Sequence, residues 1–253
     1  MSVLTQHGDN ARTGANLQEI QLTVASVTNA NFGKLAYRIV NGNVYAQPLI
    51  VAQAGMGNRG ATNVAIVATE NNSVYAFDAD DTNQASTTAQ IWQTSLGPAI
   101  DSYTLYSAIG APYCTDITLQ IGITGTPVVM ITNNQAPRAG VVFVTAKSKA
   151  AAGYSYTLNA LNIADGTKVA SVPIRGQLHG TGYGSVGTGA NATITFNPLY
   201  QLNRPALPLA GNVLYVAFGG HCDNAEYSIG GARVRKLGEG SSTPMAGTTD
   251  RMR

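Results

Sequence analysis

The sequence predicts an all-β fold: four-stranded antiparallel sheets repeated as the blades of a β-propeller, about two and a half blades in all, hence an incomplete propeller. Three observations predict it. An apolar run, a polar turn and an alternating run ending in Asp, Val64-Ala65-Ile66-Val67-Ala68 through Val74-Tyr75-Ala76-Phe77-Asp78, read as a hairpin that returns at 141–145 with 156–162, and in half at 213–218. Pro48, Pro127 and Pro205 stand 79 and 78 residues apart, each just ahead of such a unit. Charged residues are only 11%, with 28 Gly and 12 Tyr, which suits short strands and many turns better than ion-paired surface helices.

Taken in order, residues 1–31 are polar and turn-rich and read as an irregular lead-in. Phe32-Gly33-Lys34-Leu35-Ala36-Tyr37-Arg38-Ile39 alternates as an outer strand would, and an Asn41-Gly42 turn follows. Residues 32–226 then form the partial propeller. Its first blade has inner strand A around Pro48, B at 64–68, C at 74–78 and outer strand D at 89–93. The second repeats them at 125–129, 141–145, 156–162 and 167–172; the third has only A at 203–207 and B at 213–218. A period near 79 is long beside the roughly 40–50 residues of familiar blades. Loops at 52–62, 97–123 and 177–193 take up the surplus. From 227 to 253 neither strand alternation nor a helical stripe continues, and the segment reads as a disordered or aberrant tail.

A net charge of +2 is too small for a nucleic-acid partner, which needs clustered Lys and Arg. No run of about 18 apolar residues spans a membrane, and the opening Met1-Ser2-Val3-Leu4 has no signal-peptide pattern.

Val74-Tyr75-Ala76-Phe77-Asp78-Ala79 with Ile91-Trp92, and the copy Leu158-Asn159-Ala160-Leu161-Asn162 with Asp165-Gly166-Thr167, resemble the repeat of the quinoprotein-like (PQQ-like) β-propellers. Asn31-Phe32-Gly33-Lys34-Leu35, Gly125-Thr126-Pro127-Val128 and Val213-Leu214-Tyr215-Val216-Ala217-Phe218-Gly219-Gly220-His221-Cys222-Asp223 are similar to an exported, mostly bacterial branch. The likeness covers roughly 4–226 and implies a secreted or periplasmic protein. In that branch His-Cys-Asp runs on into a Tyr-His-Gly-Trp strand, whereas Tyr227 is followed here by Ser228-Ile229-Gly230. That departure implies a fragment, shifted in frame near residue 226. Many members are scaffolds without the quinone, so the expected role is a non-catalytic structural or binding segment with an unknown ligand or protein at the propeller face. The alternative is a fragment of a PQQ-dependent dehydrogenase, with pyrroloquinoline quinone and calcium as cofactors. Those enzymes use adjacent paired cysteines, which this chain lacks.

In a blade, the loop entering A and the loop between B and C share one face. Glu70, Asn71, Lys147, Lys149, His221 and Asp223 fall there, as a ligand site or as an ordinary solvated loop set. Glu70, Lys147 and Asp223 are the cofactor-binding candidates; no catalytic residue stands out. Cys114 and Cys222 fall on the same face, and read as an inter-blade disulfide or as two free thiols. Gly182-Tyr183-Gly184-Ser185-Val186-Gly187 matches G-x-G-x-x-G without the helix that would hold a pyrophosphate. Asp78-Ala79-Asp80-Asp81 lacks the Gly and Glu of a calcium loop. His7, His179 and His221 have no metal-ligand spacing, so no metal site is expected. Open blade edges predict self-association.

Overall fold

The computed structural model describes residues 1–222 except 18, 29, 31, 182 and 183, together with the backbone of 231–235. The fold is mostly β, with antiparallel sheets of four strands. In the first sheet β1 (Leu49–Gly55), β2 (Ala61–Ala68), β3 (Ser73–Asp78) and β4 (Gln90–Ser95) pair in chain order. An excursion follows: β5 (Ile100–Asp101), α1 (Ser102–Ala108) and β6 (Gln120–Ile121). Asp101 starts α1 by accepting the Thr104 N–H at 2.8 Å.

The second sheet repeats the first with β7 (Val128–Asn133), β8 (Ala139–Ala150), β9 (Gly153–Asn162) and β10 (Lys168–Pro173). Next come a small hairpin, β11 (Gln177–His179) with β12 (Thr193–Thr195), and then β13 (Gln201–Leu202). A three-stranded sheet is formed by β14 (Leu209–Ala210), β15 (Val213–Ala217) and β17 (Gly231–Arg235), with β16 (Gly219–Gly220) pairing back to β13.

Each strand A starts at or after its proline rather than around it, because proline offers no N–H to the ladder. Around Pro205 residues 203–207 form no strand, and β14 is only two residues long. The anticipated loop at 97–123 contains α1. The anticipated outer strand at 32–39 has no partner strand among the described residues. Within the expected tail, the backbone of 231–235 pairs with β15 over its whole length; 227–230 and 236–253 lie outside the described residues. Among the described residues no sheet closes on itself.

Sheet stacking follows from strand alternation. On β8, Val142, Val144 and Ala146 pack with Leu49, Ile66, Val74 and Trp92 of the first sheet. Phe143, on the opposite face, packs with Leu207, Leu214, Val216 and Phe218 of the third. A strand covered on both sides is apolar without interruption, which explains the continuous run from Val141 to Val144. Burying a Val, Leu or Phe side chain contributes about 1.5–3 kcal/mol, so these two interfaces carry most of the fold.

The first junction is also pinned by polar contacts. Trp92 Nε1–H donates to Ile163 O at 2.9 Å, and Thr94 Oγ1–H to Gly166 O at 2.6 Å. Gly166 has φ +71° and lies against the indole, where an added Cβ would stand 2.5 Å from Trp92 Cε3. Gly166→Ala is expected to cost about 1–3 kcal/mol in urea unfolding and to red-shift emission from Trp92, the only tryptophan. Unchanged stability and emission would refute that junction.

Equivalent segments of the three repeats touch one another. Gln47 N–H donates to Thr126 Oγ1 at 2.9 Å, and Leu207 N–H donates to Thr126 O at 3.0 Å. At the amino end Val3 bridges Ile50, and Leu4 O accepts the Val129 N–H at 2.8 Å.

Candidate functional site

Three polar residues lie beyond or near the ends of strands that face the sheet junctions: Glu70 after β2, Lys147 near the end of β8, and His221 after β16. All three are buried; Glu70 and Lys147 have no exposed surface at all. The expectation of charges around an open mouth is therefore corrected for these residues. Lys147 is carried inward because β8 runs on to Ala150. By alternation it falls on the Phe143 and Thr145 face, against the third sheet. Lys149, two residues further on, is exposed, and its ammonium lies 5.2 Å from the Tyr154 ring centroid.

Glu70 and Lys147 each reach the entry segment of the following sheet. Glu70 Oε2 accepts the Gly122 N–H at 2.7 Å. Gly122 admits no side chain, since a Cβ there would stand 2.4 Å from Glu70 O. Lys147 Nζ donates to Leu199 O at 3.1 Å and Gln201 O at 2.8 Å, and lies 2.8 Å from His221 Nε2. His221 Nδ1 is buried and has no hydrogen-bond partner among the described residues.

Two asparagines and a tyrosine complete this wiring, and sequence reasoning missed all three. Asn72, in the left-handed region at φ +54°, donates from Nδ2 to Lys147 O at 2.7 Å. Asn203 donates to Ala217 O at 2.7 Å and accepts from Thr145 Oγ1. Tyr156 OH donates to Gln201 O at 3.2 Å and accepts the Asn203 N–H at 3.1 Å. The one available signal was Asn72 at the hairpin turn, where Asn tolerates positive φ.

Burial sets the electrostatics. It lifts the Glu70 carboxyl to about 7, against the opposing pull of the Gly122 N–H, Thr124 and Lys147. It lowers Lys147 well below the usual ammonium range, with Glu70 opposing. His221 is lowered to about 3 by burial and by the neighbouring Lys147 charge.

Between pH 4.5 and 7 folded Glu70 keeps a proton that the unfolded chain releases, so its contribution to stability falls as pH rises through that window. His221 acts oppositely between 3 and 6.5, where the unfolded chain takes up the proton. Glu70→Gln keeps an oxygen for Gly122 and removes only the first slope. Relative to wild type, the variant is expected to gain up to about 3 kcal/mol between about pH 5 and about pH 8. Parallel pH profiles in urea unfolding would contradict the burial of an ionisable Glu70.

Cys114 and Cys222 are joined, with Cα atoms 6.0 Å apart. Asp116 lies beside them, and its Oδ2 accepts the Cys222 N–H at 2.9 Å. With both sulfurs in the disulfide, this trio leaves a single carboxylate and no donor set for a metal. Asp223 lies outside the described residues, as do Gly182 and Tyr183 of the glycine motif. Asp78 and Asp81 turn their oxygens on their own loop, accepting the N–H groups of Asp80 and Asn83, and Asp81 also meets Arg38 at 3.4 Å.

A cleft of about 570 Å³ opens beside the disulfide, lined by Gln6, Asp116, Leu202, Arg204, Phe218 and Gly220. Among the described residues no helix is long and apolar enough to cross a membrane. The molecule is thus a row of consecutive antiparallel sheets with polar residues wired across their junctions. Compared with protein-family models and with curated proteins, the chain matches none.

Proposed function

We propose that the chain is a non-catalytic structural and binding segment of a quinoprotein-like β-propeller protein, working in an exported, oxidising compartment. The observation that carries this reading is the meeting of Gln47, Thr126 and Leu207, which lie beside the prolines that open three successive repeats. Blades fanned about one axis bring such places together. The Cys114–Cys222 disulfide supports the compartment, because such bonds persist where thiols are not kept reduced. The cleft between Arg204 and Asp116 is the concave surface on which a partner would sit.

Pyrroloquinoline quinone and calcium do not fit Glu70 and Lys147, the two described candidates. Glu70 and Lys147 are buried and are spent on the Gly122 N–H and on the Leu199 and Gln201 carbonyls. The sulfur pair joins residues 108 apart in sequence, not neighbours. Titration of the purified chain with the quinone and calcium is expected to leave the quinone absorption spectrum and the melting temperature unchanged. A shifted spectrum together with a raised melting temperature would overturn the non-catalytic reading.

A further inference from the structure

Cys114, Asp116 and Cys222 each bring one donor atom, a sulfur or a carboxylate oxygen, to within 4.8 Å of the other two. The cysteines come from parts of the chain 108 residues apart, so the fold makes this cluster and no local turn does. In the disulfide the sulfurs are bonded to each other and offer a cation nothing. Reduced, they are two thiols beside a carboxylate.

The frame around them does not depend on the S–S bond. The Cys114 N–H donates to Ala111 O at 3.0 Å, and the Ala111 N–H to Tyr106 O at 2.8 Å. Past Asp116, the Tyr106 hydroxyl accepts the Ile117 N–H at 2.9 Å and donates to Ile117 O at 3.0 Å. Buried Tyr106 thus grips residues 111–117 at both ends. On the other side the His221 N–H donates to Tyr200 O at 3.1 Å, and its buried ring lies 2.8 Å from Lys147 Nζ, which fixes the residue before Cys222. Asp116 ties the two sides together, because its Oδ2 accepts the Cys222 N–H at 2.9 Å. A carboxylate held in this way stays beside the sulfurs when they part.

We propose that Cys114, Asp116 and Cys222 form a redox-gated site for a divalent cation of zinc type, closed as a disulfide and opened to the metal by reduction. Zinc takes thiolate and carboxylate ligands together, whereas calcium and magnesium take oxygen alone. At Zn–S distances of about 2.3 Å two thiolates stand about 3.8 Å apart, which fits donors within 4.8 Å and Cα atoms 6.0 Å apart. A dithiol reductant opens the site by exchange: its two thiols become a disulfide, and Cys114 and Cys222 become thiols. The cation then displaces one proton from each sulfur, while Asp116 enters as the carboxylate. A disulfide oxidant reverses both steps and expels the metal. This inference does not rest on the propeller reading, and no outcome of its test depends on a quinone.

Cobalt(II) occupies zinc sites and reports thiolate ligation as a near-ultraviolet charge-transfer band. It is titrated into the full chain, reduced with a phosphine so that no added thiol competes. One equivalent is expected to bind the reduced chain with that band, zinc to displace it, and the oxidised chain to give no band. Asp116→Asn keeps an amide oxygen for the Cys222 N–H; it is expected to weaken binding at least about tenfold, since even partners that only support a ligand are worth that much. A reduced chain without the band would overturn the proposal, as would D116N binding as tightly as wild type. One cobalt per two chains would also overturn it, because the thiolates of different molecules would then share the ion. Reduction itself weakens the fold, so melting is followed as well. Zinc is expected to raise the melting temperature of the reduced wild type and to leave that of C114A/C222A unchanged. An equal rise in both would place the metal elsewhere and refute the site.

Discussion

Lys147→Ala is expected to destabilise the protein by about 2–5 kcal/mol, the range for truncating a large buried side chain together with its hydrogen bonds. The truncation takes that shared donor from Leu199 O and His221 Nε2, while Gln201 O keeps the Tyr156 hydroxyl, and each uncompensated buried polar group costs about 1–3 kcal/mol. It also empties the volume of a fully buried side chain between the second and third sheets. Replacement by Met refills most of that volume but none of the hydrogen bonds, so it is expected to recover only part of the loss. Lys149→Ala is the control: that residue is exposed over Tyr154, and its removal is expected to cost under about 1 kcal/mol. Equal effects of the two substitutions in guanidinium unfolding would refute the assigned role of Lys147.

Reduction of the Cys114–Cys222 bond is expected to remove about 4–5 kcal/mol, the loop-closure effect for a separation of 108 residues. The bond ties the excursion carrying α1 to the segment following β16, across a small apolar core of Ile100, Leu105, Tyr106, Ile117 and Leu202. Unfolding with and without reductant, and of the C114A/C222A double variant, measures it. Both reduced forms should unfold at lower denaturant, with the second and third sheets loosening together. Midpoints that do not move would show that the α1 core holds the excursion by itself.

Strand positions were legible where burial follows a simple period. Residues 64–68, 74–78, 141–145 and 156–162 all lie within β2, β3, β8 and β9, because apolar alternation and a polar turn leave few other arrangements. Residues 32–39 alternate equally well but have no partner strand among the described residues, and alternation alone carries no information about what lies alongside. The charged positions were the least legible. Lys147 sits among Lys, Ser and Ala, a composition that suits a solvated hairpin end. Its burial follows from the third sheet, which packs against that face from more than fifty residues later in the chain. Phe143, Thr145 and Lys147 do share one side of the strand, and that period of two was the only local sign of an inward-facing lysine.

The segments that open the three repeats meet at Thr126, and amide exchange read residue by residue tests this most directly. The N–H groups of Gln47 and Leu207 belong to no strand, yet both are bonded to Thr126. They are expected to exchange as slowly as amides in the middle of β8 and to lose protection together when Lys147 is replaced by Ala. Exchange of both at the rate of exposed loop amides would mean that these segments do not meet at Thr126.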